Sequence, residues 1–198
     1  MALFPLQAVM FPGALLGLKV FEARYLDLMA RCMREATPFG VICLQQGREA
    51  GRSAPVRLER VGVLAQLDEV DADGPGLLRV RCTGLQRFRL VGEAQQQPDG
   101  LWTCPVELIA EDDARAPGEA MRPTVVALAE AIRKLAEQGH EPFAEPHRLD
   151  DAGWVANRWC ELLPVSLAAK QKLMELEDPV IRLSIVDGYL RDKRIIVG

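Results

Sequence analysis

Apolar residues open this chain in short runs broken by turn chemistry. Leu3 to Met10 reads as a strand, Phe11-Pro12-Gly13 turns the chain, and Leu15 to Val20 runs extended after it. Proline fixes one backbone dihedral and glycine supplies the permissive one, which suits a tight turn. A helix then opens at Glu22, with its carboxylate near the positive end of the helix dipole. Phe21, Tyr25, Leu28, Met29, Cys32 and Met33 recur at helical spacing and form one apolar stripe. Thr37-Pro38 ends the helix, because the residue before a proline avoids the helical region.

Phe39 to Leu44 is a short apolar strand, and residues 45–55, with Gly47, Gly51 and Ser53, form a polar loop. Period-two alternation then predicts three strands. The first runs through Val61, Val63, Ala65 and Leu67, the second through Leu78, Val80 and Cys82, and the third through Phe88 and Leu90. Asp71 to Gly76 connects the first pair, and Thr83-Gly84 supplies a turn between the second and third. After a turn at Gln95 to Gly100, a further strand carries Trp102, Cys104, Val106 and Leu108. Residues 1–110 therefore read as a β-rich lobe with strand spacing that suggests a barrel or sandwich.

The pattern changes after Ile109. Glu111 to Gly118 is a polar linker. A helix then runs from near Pro123 to Gln138, stops at Gly139, and carries Val125, Leu128, Ile132 and Leu135 as its core stripe. Asp150 or Asp151 caps the next helix, which holds Trp154, Val155, Trp159, Leu162 and Leu163 and ends at Pro164. Ser166 caps Leu167 to Leu176, and Asp178-Pro179 starts the last helix, which runs to about Leu190. Residues 118–198 are thus a helical lobe with short links, as in a bundle, ending in a tail from Arg191. The expected fold class is α+β, a mainly β lobe followed by an α-helical bundle lobe.

With 198 residues, 49% hydrophobic and 26% charged, the chain has the composition of an ordinary globular protein. A net charge of -4 argues against a surface given over wholly to nucleic acid. The apolar N-terminus lacks a preceding Lys or Arg and is interrupted by Pro5 and Pro12, so it reads as core strand rather than a leader. No run reaches the roughly 18–20 apolar residues that span a bilayer. A cytoplasmic protein with no membrane partner is expected. Cys32, Cys43, Cys82, Cys104 and Cys160 are scattered, odd in number and without a C-x-x-C pair, which reads as five buried thiols in a reducing compartment.

Candidate chemistry is sparse. Arg79 and Arg81 share one strand face, as do Arg87 and Arg89; pairing through Thr83-Gly84 would bring the two sets together. Like charges facing across strands need compensation, from Asp68, Glu69 or Glu107 or from an anionic partner such as an acidic peptide or RNA backbone. Phe11, Leu15 and Leu16 at the first turn form a candidate peptide-binding patch if they reach solvent. Ser166 and Lys170 are four apart on a helix, but a cap and a surface lysine account for them without an oxyanion site. His140 and His147 flank Glu141 and Glu145 without H-E-x-x-H spacing, so an exposed loop is expected rather than a metal site. Trp154 and Trp159 read as core. Arg24 or Glu22 is expected to tie the first helix to the β-lobe through a charge-assisted bond.

Phe4-Pro5-Leu6, Phe11-Pro12-Gly13 and Val20-Phe21-Glu22-x-Arg24-Tyr25 resemble the opening of the N-terminal substrate-binding domain of ATP-dependent Lon proteases. Phe39-Gly40-Val41, Gly62-Val63-Leu64-Ala65 and Gly84-Leu85-Gln86-Arg87-Phe88-Arg89-Leu90 follow in that family's order. Leu162-Leu163-Pro164 and Lys170-Gln171-Lys172-Leu173-Met174-Glu175 resemble its helical half. Ala23 stands where family members often carry proline. The resemblance implies a PUA-like pseudo-barrel followed by a helical bundle, with recognition of unfolded or tagged polypeptide. The chain contains no G-x-x-x-x-G-K-[ST], so neither the Lon ATPase nor its Ser-Lys peptidase is expected in it. The leading expectation is a non-catalytic module for unfolded or partner polypeptide, an adaptor or regulator of protein turnover, that needs no cofactor or metal. Its contacts would come from the first turn and a cleft between the lobes. The second reading is a nucleic-acid-binding domain using the arginine hairpin.

Overall fold

The strands are built from the apolar runs and joined largely at the glycine- and proline-rich segments. The computed structural model describes residues 1–47 and 56–196, so 48–55 of the expected polar loop and 197–198 of the expected tail lie outside the described residues. The chain folds as two units, Met1–Glu111 and Asp112–Gly198.

The first unit contains β1 (Ala2–Leu6), β2 (Leu15–Val20), α1 (Ala23–Glu35), β3 (Phe39–Gln46), β4 (Arg57–Ala72), β5 (Leu78–Leu90), β6 (Gln95–Gln96), β7 (Trp102–Thr103) and β8 (Val106–Leu108). The sheet order is β2-β5-β4-β3-β1-β7-β6, with β8 also pairing β5. β1 and β3 are parallel and the other pairs are antiparallel. Leu3, Ile42, Leu64, Phe88, Leu90 and Cys104 form a buried cluster on this sheet. Tyr25 brings α1 onto β1 by stacking on Phe4, with ring centroids 4.1 Å apart.

One expectation is corrected at Thr83-Gly84. These residues make no hairpin; β5 is continuous from Leu78 to Leu90. Gly84 is there because another backbone approaches it. Gly13 N–H donates to the Gly84 carbonyl at 2.8 Å, and Gly84 N–H donates to the Ala14 carbonyl at 2.8 Å. A Cβ at Gly84 would lie 2.5 Å from the Phe11 carbonyl oxygen. A glycine inside a strand commonly marks such a contact. The actual turn is Phe11-Pro12-Gly13, where Gly13 adopts φ +75° and Ala14 N–H closes onto the Phe11 carbonyl.

The same logic explains Gly40 and Gly62. The Phe88 ring lies across both, and a Cβ would meet its Cζ at 2.8 Å from Gly40 and 2.5 Å from Gly62. Other departures are local. The expected strand Trp102 to Leu108 divides into β7 and β8 around Cys104-Pro105, where proline has no N–H for the ladder. Phe21 is exposed because it precedes the helix, whose N-cap is Glu22, and Met33 lies at the exposed edge of the stripe.

The second unit begins with an extended segment and a 3-10 turn at Glu119–Met121, followed by α2 (Arg122–Glu137), α3 (Ala152–Leu162), α4 (Leu167–Glu175) and α5 (Pro179–Asp192). The caps are those expected from the sequence. Asp151 accepts from Gly153 and Trp154 N–H, Ser166 from Ala169 N–H, and Asp178 from Val180 and Ile181 N–H. α3 is central and buried on most sides. Trp159 Nε1 donates to the Thr124 carbonyl of α2 at 3.1 Å, and Thr124 Oγ1 donates to Asp187 of α5 at 2.5 Å.

Glycine sterics give a paired test of this packing. Gly62→Ala must displace the Phe88 ring or the Val41 backbone, so urea unfolding should show a loss of about 1–3 kcal/mol. Gly17→Ala meets nothing within 4 Å of the new Cβ and should stay within about 0.5 kcal/mol of the parent. Equal effects of the two substitutions would contradict the packing described.

Candidate functional site

The residues singled out from the sequence do not converge. Phe11 is fully buried, so it contributes to the core and offers no surface to a ligand. Leu15 and Leu16 are half-buried on β2. The arginines are spread along one strand rather than gathered on a hairpin. Arg79 pairs with Asp73 at 2.6 Å and Arg81 with Glu69, both at exposed positions. Arg87 is buried, and Arg89 lies directly across from Glu107 of β8. Thr83 Oγ1 donates to Asp68 at 2.7 Å. Glu69, across from Arg81 on β4, and Asp73, in the turn after β4, thus answer the positive charge of the two arginines.

Arg24 does join α1 to the β-unit. Its Nη1 donates to the Gly100 carbonyl at 2.8 Å while its Nη2 pairs with Glu22 at 2.8 Å. Residues two apart face different ways on a helix, but Glu22 is the extended N-cap and so can reach Arg24. Ser166 and Lys170 make no pair. Ser166 caps α4, and Lys170 Nζ donates to the Glu161 carbonyl at 3.0 Å, at the end of α3. His147 packs against Trp154, ring centroids 5.7 Å apart, and Phe143 anchors the same loop by an edge contact with Trp154. Among the described residues no three His, Cys, Asp or Glu side chains are placed to hold a metal ion.

The structure forms a site that the sequence pattern did not isolate. Leu163 and Val165, after α3, join Ala169, Leu173 and Leu176 of α4 and Ile185, Val186 and Tyr189 of α5 around a groove of about 520 Å³. Lys172 and Glu175 are its charged lining residues, and they pair at 2.9 Å. Gln171 Nε2 donates to the other Glu175 oxygen at 3.0 Å. The charges at the rim therefore neutralise each other and leave an apolar interior. Ile185 of its lining is about half exposed, as is Ile181 one turn earlier on α5. The sequence signal was present in α5, where Val180, Ile181, Leu183, Ile185, Val186, Tyr189 and Leu190 are too many apolar residues for one buried stripe. A cavity of this size and lining suits a small set of apolar side chains rather than a charged ligand.

Residues 1–192 match the family of ATP-dependent protease La (LON) substrate-binding domains. The Lon protease of Xanthomonas oryzae pv. oryzae is 27% identical over 194 residues, covering 92% of this chain and 21% of that protein. Lon protease 2 of Herpetosiphon aurantiacus is 28% identical over 187 residues, covering 91% of this chain and 22% of that protein. The chain spans about a fifth of the length of these curated relatives. Among solved structures, the Lon N-terminal domain protein from Xanthomonas campestris is similar with a TM-score of 0.77 at 28% identity, over 96% of this chain and 97% of that one. The N-terminal domain of a Mycobacterium avium complex Lon protease shares the fold, with a TM-score of 0.63 at 19% identity and the same coverage. The fold is therefore the mixed α+β Lon N-domain fold. No described helix is long and apolar enough to cross a membrane.

The titratable groups that depart most from their ordinary values are buried parts of the framework. Burial pushes the Cys82 and Cys160 thiols up to about 12 and the Cys43 thiol up to about 11. Burial also pushes the Glu161 carboxyl up to about 7, against the pull of Arg158 and Lys170. All five cysteines are free and buried. A thiolate is the reactive form, so a disulfide reagent at pH 8 should label the native protein at least about a hundredfold more slowly than the urea-unfolded protein. A fast-reacting thiol in the native protein would contradict this burial.

Proposed function

Because the chain belongs to the family of ATP-dependent protease La (LON) substrate-binding domains, we propose that it binds polypeptide, and that it does so through the apolar groove between α4 and α5. The observation that carries this reading is the 520 Å³ groove with its self-neutralised rim. An unfolded chain exposes large apolar side chains without fixed tertiary structure. Burying one of them contributes about 1.5–3 kcal/mol. Two or three in the groove contribute about 3–9 kcal/mol before the cost of ordering the segment is subtracted, which places the dissociation constant between roughly 10 µM and the millimolar range. Such binding is reversible and needs no cofactor. It suits capture followed by release, the role of an adaptor or regulator in protein turnover.

The nucleic-acid reading lacks its main support, since the arginine hairpin does not form and Arg79 and Arg81 are paired with acids. Salt separates the two readings. Phosphate contacts weaken steeply as salt rises, whereas apolar burial does not.

Fluorescence anisotropy of a labelled, permanently unfolded polypeptide should show saturable binding that changes less than about threefold between 50 and 300 mM salt. RNA should not compete. Ile185→Asp places a charge in the groove at a position already half exposed. It should weaken binding at least about tenfold with an unchanged circular dichroism spectrum. Salt-sensitive RNA binding without polypeptide binding would overturn the proposal.

A further inference from the structure

We propose that the free edge of β2 is a second polypeptide site, taking an extended segment as an added strand through backbone hydrogen bonds. This rests on the polypeptide-binding reading above but uses a different surface. Among the described residues β2 is the terminal strand of the sheet order and pairs only with β5. In an antiparallel pair, alternate residues direct their N–H and C=O groups away from the partner. Among the described residues, the backbone of Leu15–Val20 hydrogen-bonds only to β5. The outward groups of this strand are therefore available to a visiting chain.

Two further features distinguish β2 from a guarded edge. Edges are normally blunted by proline, bulges or charged side chains, lysine above all, and β2 carries one such charge, Lys19. β2 has no proline, and its register with β5 runs without a shift from Leu15 opposite Thr83 to Val20 opposite Leu78. Gly17 opens onto empty space. The burial of the inward row is also incomplete. Leu16 and Leu18 face inward beside Cys82 and Val80, which are fully buried, yet both leucines are only partly buried.

The same geometry specifies the occupant. A strand laid along β2 would cover Leu16 and Leu18 with two apolar side chains spaced two residues apart. Its alternate residues would lie on the outer face beside Gly17 and Lys19. The Lys19 side chain is 69% exposed and only loosely engaged, with Nζ 3.7 Å from Asp73, whose other oxygen is held by Arg79 at 2.6 Å. An acidic side chain there would gain a better partner. The site thus fits an extended segment in which apolar and acidic residues alternate. Leu15 and Leu16, two of the three residues of the first-turn patch expected from the sequence, belong to this edge.

The test uses a fluorescein-labelled nonapeptide of alternating valine and glutamate. Versions N-methylated at every other amide, in each of the two frames, keep the side chains and remove backbone donors. The parent peptide should bind the intact protein and shift the amide resonances of residues 15–20. At least one methylated frame should lose about tenfold or more in affinity, and Lys19→Glu should weaken the parent about fivefold. Binding of both methylated frames as tight as that of the parent peptide overturns the proposal. So do amide shifts confined to α4 and α5, or a dimer in which the β2 edges of two copies already pair. If the unfolded polypeptide binds and the nonapeptide does not, the edge proposal alone fails. If neither binds, the reading beneath it fails as well.

Discussion

One guanidinium organises the helical unit. Arg182 of α5 is almost completely buried and uses all five of its N–H donors. Two go to the Asp112 carboxylate, one at 2.6 Å and one at 3.3 Å, and one goes to Asn157 of α3 at 3.0 Å. The remaining two go to the Leu173 and Leu176 carbonyls, where α4 ends. A fixed fork of this kind suits arginine and not lysine. Carbonyls at a helix C-terminus have no partner within the helix and carry partial negative charge. Arg182 satisfies them and fixes the end of α4 against α5. The groove lies between those two helices, so its shape depends on this residue. Removing one partner from such a cluster costs about 3–5 kcal/mol.

The β-unit is organised by close approach rather than by charge. Phe88 of β5 occupies the space that side chains at Gly40 and Gly62 would fill, and the first turn lies on the backbone of Gly84. Three separated glycines therefore have one cause, the packing of β5 against the turn and its neighbouring strands. This rigid arrangement leaves β2 in perfect register on one side and unpaired on the other. Packing in the β-unit and the clamp in the helical unit thus produce two different kinds of surface. One is suited to side chains and the other to backbone.

Local chemistry was the part of the fold legible in the sequence. Asp151, Ser166 and Asp178 cap the expected helices because a cap needs only a carboxylate or hydroxyl two or three residues before a free N–H. The Phe11-Pro12-Gly13 turn was legible for the same reason. Non-local features were not. Gly84 read as a turn because its reason for being glycine lies at Phe11, far back in the chain. Asp112 read as part of a polar linker because its partner is 70 residues away. Phe11 could be assigned to core or surface only once the sheet covered it. The groove needed the juxtaposition of α4 and α5, which no periodicity specifies, although the excess of apolar residues on α5 was visible.

Polypeptide is proposed to occupy the α4–α5 groove. This occupancy is tested most directly by placing a photo-crosslinking amino acid at position 185 in place of isoleucine and irradiating with the labelled unfolded polypeptide. Val126 of α2, exposed to the same extent as Ile185, provides the control position. Crosslinking is expected to be efficient from position 185 and weak from position 126. Equal yields from the two positions, or none from position 185 while the polypeptide remains bound, would contradict this occupancy.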